Sequence, residues 1–125
     1  MHIHILTTGG TFDKIYHDAL SEFTIGDPMA AELLAEAGVN CAYSVDTVLK
    51  KDSLEFTDSD RQLLRERVNT SPHQHILIIH GTDTMTLSAQ HLDANPSKTV
   101  VFTGAMQPAR MRNSDAAFNL GFAIG

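Results

Sequence analysis

Two glycine-containing threonine turns, each directly after a short β-rich run, constrain this chain more than any other feature. The first reads Thr-Gly-Gly-Thr at positions 8–11 and follows a run at positions 3–7. The second reads His-Gly-Thr-Asp-Thr-Met at positions 80–85 and follows a run at positions 76–79. Ligands of open parallel sheets bind at the carboxyl ends of the strands. Two such turns at that edge would place several hydroxyls and a carboxylate around one crevice, which is the layout of a hydrolase with a threonine nucleophile.

Strand and helix signals alternate along the chain, which predicts a doubly wound α/β fold with a mostly parallel sheet and helices on both faces. Asp27 and Pro28 favour a helix start, and Gly38 favours its end. Thr57 and Asp60 have the spacing of a capping box. The predicted strands cover positions 2–7, 42–49, 75–79 and 98–103; the predicted helices cover 27–38, 57–68, 83–93 and a segment from about 113; a long loop or hairpin is expected at 12–26.

Composition indicates one small cytoplasmic domain over residues 1–125. A chain of 125 residues that is 42% hydrophobic can bury one modest core. A formal net charge of −6 without a basic cluster argues against nucleic acid and anionic membranes as partners. Cys41 is the single cysteine, so neither an internal disulfide nor a thiolate metal cluster is expected. Neither a signal peptide nor a membrane span is evident.

The end of the sequence carries an expectation of its own. A helical pattern at positions 116–124 is still running when the sequence stops at Gly125. We therefore expect further sequence to be missing or removed at this end.

The residue types of the two turns suit nucleophilic chemistry. A threonine hydroxyl attacks only if a base removes its proton and the backbone holds it in place. Gly9 and Gly10 allow a tight turn, a close approach of substrate and exposed amides for an oxyanion. Thr82 beside Asp83 can grip an ammonium group and a water molecule. The alternative is that both are ordinary turns whose threonine and aspartate residues cap the following helices.

The motifs, taken together and in this order, are similar to those of a known family. The chain resembles the amino-terminal domain of the bacterial-type L-asparaginases, which include glutaminase-asparaginases. The resemblance runs from near the start to the last residue, and its motifs are Thr-Gly-Gly-Thr at 8–11, His-Gly-Thr-Asp-Thr-Met at 80–85, Gly-Ala-Met-Gln-Pro at 104–108, Ser-Asp at 114–115 and Phe-Asn-Leu at 118–120. It implies the fold of that domain without the carboxy-terminal domain, no cofactor, and a homo-oligomer.

The resemblance also implies residue roles. Thr11 matches the acylated nucleophile and Thr82 matches the second catalytic threonine. Asp83 matches the acid that binds the substrate α-ammonium group and supports a catalytic lysine, and Ser53 matches the serine that holds the α-carboxylate. Gly10 and Gly81 are the remaining predicted substrate-binding positions. The implied reaction converts L-asparagine to L-aspartate and ammonia through a threonine ester, with L-glutamine as a second candidate substrate.

Two departures from the family pattern bear on catalysis. The position of the family's loop tyrosine is held here by Phe23, and we predict that Tyr16 in the same loop replaces it. The family's lysine belongs to a segment beyond Gly125. Lys50, Lys51 and Lys98 lie outside the matched region and are poor substitutes.

The seven histidines raise a metal hypothesis. His2 with His4, and His73 with His75, are both pairs that place two imidazoles on one side of a strand. Both pairs lie at the amino ends of their strands, away from the threonine turns, so we expect surface or tag-like histidines and no metal site. His80 is expected to hydrogen-bond its own loop.

Two other functions remain open. The first is a non-catalytic module that binds an acidic amino acid without turnover, because the lysine is missing. The second is the amidase subunit of a tRNA-dependent amidotransferase, which shares these motifs but normally carries an extra domain.

Overall fold

A computed structural model describes residues 1–92 and 95–125. Asp93, the last residue of the predicted helix 83–93, lies outside the described residues. Within the described ranges the chain forms strands β1 (His2–Thr7), β2 (Lys14–His17), β3 (Glu22–Ile25), β4 (Ala42–Thr47), β5 (His75–Ile79) and β6 (Thr99–Thr103), and helices α1 (Ala30–Ala37), α2 (Asp58–Thr70), α3 (Met85–His91) and α4 (Ala116–Ile124). Short 3₁₀ turns occupy Thr11–Asp13 and Ser53–Glu55.

The central sheet is parallel, and its strand order is β4-β1-β5-β6. The chain first moves from β1 to β4 and then returns to the other side of β1 for β5, so the order reverses at β1. This reversal is the switch point at which doubly wound sheets open a crevice. The register aligns Thr7 with Thr47 and Ile79, and Ile79 with Thr103. All four strands therefore end in one row.

Helices cover both faces of this sheet, as the sequence predicts. Ile5 and Ile79 face one core, which α1 and α4 close with Leu34 and Leu120. The opposite face buries Leu6 and Ile78 against Leu64 and Val68 of α2. β1 and β5 contribute alternate residues to both cores, which is why their sequences are nearly continuous in apolar side chains.

Several element boundaries differ from the predicted ones: β4 ends at Thr47 and not at 49, α2 runs to Thr70 and not to about 68, and α3 begins at Met85 and not at 83. The starts of α1 and α4 differ as well. α1 begins at Ala30, after Met29 in the cap position, and not at Asp27 and Pro28. The Met29 amide donates to the Asp13 carboxylate at 3.0 Å, so a side chain from a distant turn caps this helix. α4 begins at Ala116, three residues after the predicted start near 113. The capping box of Thr57 and the left-handed Gly38 that ends α1 are confirmed.

Most of the segment 12–26 is a hairpin of β2 and β3, and it begins directly after the first 3₁₀ turn ends at Asp13. Its base is tied to the last loop, because the Arg110 guanidinium donates to the carbonyls of Asp13 and Asp27 at 2.8 Å each. None of the helices in the described ranges is long and apolar enough to cross a membrane.

Candidate active site at the carboxyl edge of the sheet

The two threonine turns touch each other through their backbones. Gly10 has φ 83° and ψ −173°, a conformation that is essentially restricted to glycine. A Cβ atom on Gly10 would lie 2.8 Å from both the Cα and the amide nitrogen of Gly81. The sheet thus brings both turns into contact, and the glycines are what allow the approach.

A third turn, which follows β4, packs against the second threonine turn. A Cβ atom on Gly81 would lie 2.8 Å from the Ser53 Oγ. Ser53 is buried, its Oγ accepts from the Thr84 amide at 3.3 Å, and its carbonyl accepts from the Thr84 hydroxyl at 2.9 Å. Ser53 is therefore held against the second threonine turn.

The loop after β6 also contacts the second threonine turn. A Cβ atom on Gly104 would clash with the His80 carbonyl oxygen. The Thr82 hydroxyl approaches the Met106 sulfur at 3.9 Å, a weak contact. The Asp115 carboxylate accepts from the amides of Met106 and Gln107 at 3.0–3.1 Å, and these bonds, with that from Met106 the strongest, hold the pKa of Asp115 below its usual value.

A small open cavity of about 230 Å³ lies among these loops and the hairpin. Drug-sized ligands occupy pockets of roughly 300–1,000 Å³, so this space suits a smaller molecule. Its lining residues are Thr11, Lys14, Phe23, Met106, Gln107, Pro108 and Met111.

Most of the predicted site residues lie together. Thr11 begins the 3₁₀ turn, is half-buried and lines the cavity, while Ser53 lies buried beneath the second turn. Thr82 and Asp83 are exposed on that turn. The contacts above link Gly10 to Gly81, Gly81 to Ser53 and Thr82 to Met106, so the turns carrying these residues form one connected group.

Tyr16 lies in strand β2 of the hairpin, which follows the 3₁₀ turn that begins at Thr11. It pairs with Phe23 in the antiparallel register, and the two ring centroids are 5.0 Å apart. Directly paired residues share one face of a sheet, and Phe23 lines the cavity. Both rings are about half exposed, at 47% for Tyr16 and 45% for Phe23.

Sequence reasoning missed Lys14 as a residue that lines this cavity. Lys14 lines the same cavity as Thr11, and its ammonium group pairs with Asp52 at 3.0 Å. Lys14 leaves the 3₁₀ turn in an extended conformation and begins β2, so no local sequence signal could have placed its side chain at the cavity.

Asp13, inside the same 3₁₀ turn, is a buried acid. Burial raises its pKa to about 6, although the Met29 amide and the Arg110 charge both oppose this shift. Through its carboxylate and its carbonyl, Asp13 joins the first threonine turn to α1 and to the last loop.

His80 supports the second turn from below, which confirms the expected hydrogen bond to its own loop. Its Nδ1 lies 2.7 Å from the Gly81 carbonyl oxygen, which can only accept, so Nδ1 carries the hydrogen. Burial lowers the pKa of His80 and favours the neutral ring. Nε2 therefore accepts from the Ser88 hydroxyl at 2.7 Å.

The histidine pairs at the opposite edge are not tag-like. His4 is buried, donates from Nε2 to Asp46 at 2.6 Å, and places Nδ1 2.6 Å from the Ser71 hydroxyl. His2 stacks on His73 with ring centroids 3.8 Å apart. Among the described residues, no group of three or more His, Cys, Asp and Glu residues could hold a metal ion.

Comparison with known proteins points to one family. The model of the amino-terminal domain of asparaginases ("Asparaginase, N-terminal") matches residues 2–125. L-asparaginase 2 of Escherichia coli (strain K12) is 32% identical over 131 residues, which cover 98% of this chain and 38% of that protein. The probable periplasmic L-asparaginase of Haemophilus influenzae is 28% identical with the same coverage.

A solved structure agrees in fold. The thermostable L-asparaginase from Thermococcus kodakarensis superposes with a TM-score of 0.85 at 28% identity, over 99% of this chain and 40% of that one. The chain thus spans about two fifths of the length of these relatives. From the matched family model and the superposed fold together, the chain belongs to the asparaginase family, within that family's amino-terminal domain.

Proposed function

We propose that this chain is an amidohydrolase that converts L-asparagine to L-aspartate and ammonia through a Thr11 ester. The observation that carries the proposal is the placement of Thr11 in a small cavity beside the contact between Gly10 and Gly81. A side-chain amide in that cavity would meet a hydroxyl nucleophile on a glycine turn. Family membership supports asparagine hydrolysis in general, and the ester mechanism is our proposal for this chain.

The turns suggest how substrate is held. Ser53 Oγ accepts from the Thr84 amide, so its own hydroxyl hydrogen can point to a substrate α-carboxylate. Asp83 is exposed on the adjoining turn and would bind the α-ammonium group. The contact of the Thr82 hydroxyl with the Met106 sulfur is weak and would readily give way to water or substrate. Backbone amides near Gly10 and Gly81 would serve the developing oxyanion.

The hairpin supplies the tyrosine in this proposal. Phe23 has no proton to exchange, and the Tyr16 ring packs at a tilt beside it on the same face. Closure of the hairpin over bound substrate would bring the Tyr16 hydroxyl toward Thr11. Residues 1–125 would form the catalytic amino-terminal domain, with L-glutamine as a second substrate, a homo-oligomeric assembly and a cytoplasmic location, although one relative is named as periplasmic.

The Thr11→Val variant tests the nucleophile. This change removes the hydroxyl with almost no change of shape, so we expect ammonia release from L-asparagine to fall to background while the fold is kept. Ammonia is measured with a coupled assay, and circular dichroism checks the fold. Thr70→Val is the matched control, because Thr70 is exposed at the end of α2 and its hydroxyl donates to the Glu66 carbonyl of the same helix at 2.8 Å.

Two results would overturn the proposal. Full activity of Thr11→Val would exclude Thr11 as the nucleophile. A wild-type chain whose melting temperature rises with L-aspartate but which releases no ammonia would instead be the non-catalytic binding module.

A further inference from the structure

Met106 presents a thioether to solvent at the edge of the candidate site. The residue is 71% exposed, yet its backbone amide is held by the Asp115 carboxylate at 3.0–3.1 Å. Met106 lines the same cavity as Thr11. Small oxidants in the solvent can therefore reach its sulfur, while the loop that carries it keeps its place beside the site.

The other four methionines, all among the described residues, do not combine these features. Met1 is equally exposed, at 71%, but it precedes β1 at the opposite edge of the sheet. Met29 packs against one of the cores, and Met85 is partly buried at the start of α3. Met111 lines the cavity but is only 37% exposed. Met106 is thus the methionine whose oxidation would change the candidate site most.

The Met106 sulfur faces the hydroxyl of Thr82. The two atoms are 3.9 Å apart, and a thioether is a weak acceptor, so this hydroxyl is free to exchange partners. Oxidation to the sulfoxide makes the side chain polar. An oxygen bonded to the sulfur on the side of Thr82 would come within reach of an O–H···O bond, whose length is about 2.7–2.8 Å. Oxidation would therefore turn a weak contact into a hydrogen bond that captures the Thr82 hydroxyl.

The cavity also offers donors that would keep the oxidised side chain in place. Its lining includes the Lys14 ammonium group and the Gln107 amide, besides the Thr11 hydroxyl. A sulfoxide oxygen can accept from such groups, whereas a thioether accepts from them only weakly. The oxidised side chain would therefore be held in the space that a substrate amide needs.

We propose that Met106 is a modification site whose oxidation by hydroperoxides inactivates the candidate site, an inference that rests on the proposed function. The sulfur attacks one oxygen of hydrogen peroxide, so that an S–O bond forms and the O–O bond breaks. The sulfur loses two electrons and the peroxide gains them. The transferred OH group gives its proton to the departing hydroxide, and the products are the sulfoxide and one water molecule. Methionine sulfoxide reductases reverse this change.

Treatment of the full chain with hydrogen peroxide tests the proposal. Peptide mass mapping gives the fraction of each methionine that carries one added oxygen. General acid–base groups contribute about 10²–10⁴-fold to rate, so capture of Thr82 should lower ammonia release from L-asparagine at least about tenfold once Met106 is fully oxidised. The two methionine sulfoxide reductases, one for each epimer, should together restore the activity.

Three variants assign the loss to one sulfur. Met106→Leu keeps the size and apolar character of the side chain but forms no sulfoxide, so the ratio of its activity after and before treatment should stay near one. Met111→Leu is the matched control, because it removes the other methionine of the same cavity and should remain as sensitive as wild type. Met106→Gln places a permanent polar group beside Thr82 and should resemble the oxidised wild type without treatment.

The possible outcomes separate this inference from the proposed function. A wild-type chain that stays active with Met106 fully oxidised would overturn the inference alone, and so would equal losses in Met106→Leu and wild type. If Met106→Leu is inactive before treatment, the wild type decides. Its loss of activity must then follow the oxidation of Met106, and a loss that follows the equally exposed Met1 instead would overturn the inference. A wild-type chain that releases no ammonia before treatment would overturn both proposals.

Discussion

Asp13 is a buried carboxyl two positions after the candidate nucleophile, and its titration is coupled to stability. Burial raises its pKa from 3.8 to about 6, against the bond from the Met29 amide and the charge of Arg110. Between these two values the folded chain binds the proton more tightly than the unfolded chain does. The contribution of this group to the free energy of unfolding is therefore favourable below about pH 4 and is lost as pH rises through about 6.

The Asp13→Asn variant isolates this effect. Asparagine keeps an oxygen for the Met29 amide and does not titrate, so the wild type should gain stability relative to the variant as pH falls from 7 to 4. The shift from 3.8 to about 6 corresponds to at most about 3 kcal/mol, at 1.36 kcal/mol per pKa unit. Urea unfolding at several pH values measures the difference. A difference that does not change with pH would show that the Asp13 carboxyl titrates normally.

At the scale of elements, the parallel register decides which turns meet. β1 and β5 were predictable to the residue because each is a nearly continuous run of apolar or β-branched residues, interrupted in β1 by histidines, and the doubly wound fold followed from the alternation of elements. The start of α1 was not predictable, since its cap is the distant Asp13 carboxylate. Asp27 instead pairs with Lys50.

The residues of the candidate site divide in the same way. Some were predictable from the local sequence, and one was placed by contacts with distant parts of the chain. Thr11, Thr82 and Ser53 could be predicted as site residues from the resemblance to the family, and their roles stay predictions. The place of Lys14 in the cavity could not be predicted, because it depends on a 3₁₀ turn and a hairpin within a segment that reads as irregular. Its partner, Asp52, comes from a turn 38 positions farther along the chain (52 − 14).

Replacement of Gly10 by alanine tests the contact between the two threonine turns, and Gly38 offers a matched control. Both glycines have positive φ, 83° and 63°, but an added Cβ on Gly38 has no atom within 4 Å. Gly38→Ala should lose about 1–2 kcal/mol from its left-handed conformation alone and keep activity. Gly10→Ala adds the clash with Gly81, so we expect a larger loss of stability and a loss of ammonia release. Thermal unfolding and the ammonia assay report the two effects, and equal behaviour of the two variants would argue against the contact.

At the scale of the whole molecule, the sheet carries titratable clusters at both edges. The carboxyl edge holds Asp13 and the candidate site, and the amino edge holds a cluster made of His2, His4 and His73. His4 ties β1 to β4 through Asp46 and to the segment before β5 through Ser71. Partial burial, followed by the charges of His2, His4 and Lys98, lowers the pKa of His73.

The two edges should respond to pH with opposite signs. His73 has a lowered pKa, so below its ordinary value of 6.5 the unfolded chain binds the proton more tightly and the folded chain loses stability as pH falls. His73→Asn should therefore become more stable relative to wild type between pH 7 and pH 5, the reverse of the trend for Asp13→Asn. Urea unfolding of both single variants and the double variant measures this. Because the two residues lie at opposite edges of the sheet, their pH-dependent contributions to the free energy of unfolding should add in the double variant. Parallel trends in the two single variants would contradict the assignment of opposite signs, and non-additive terms would mean that the edges are coupled through the sheet.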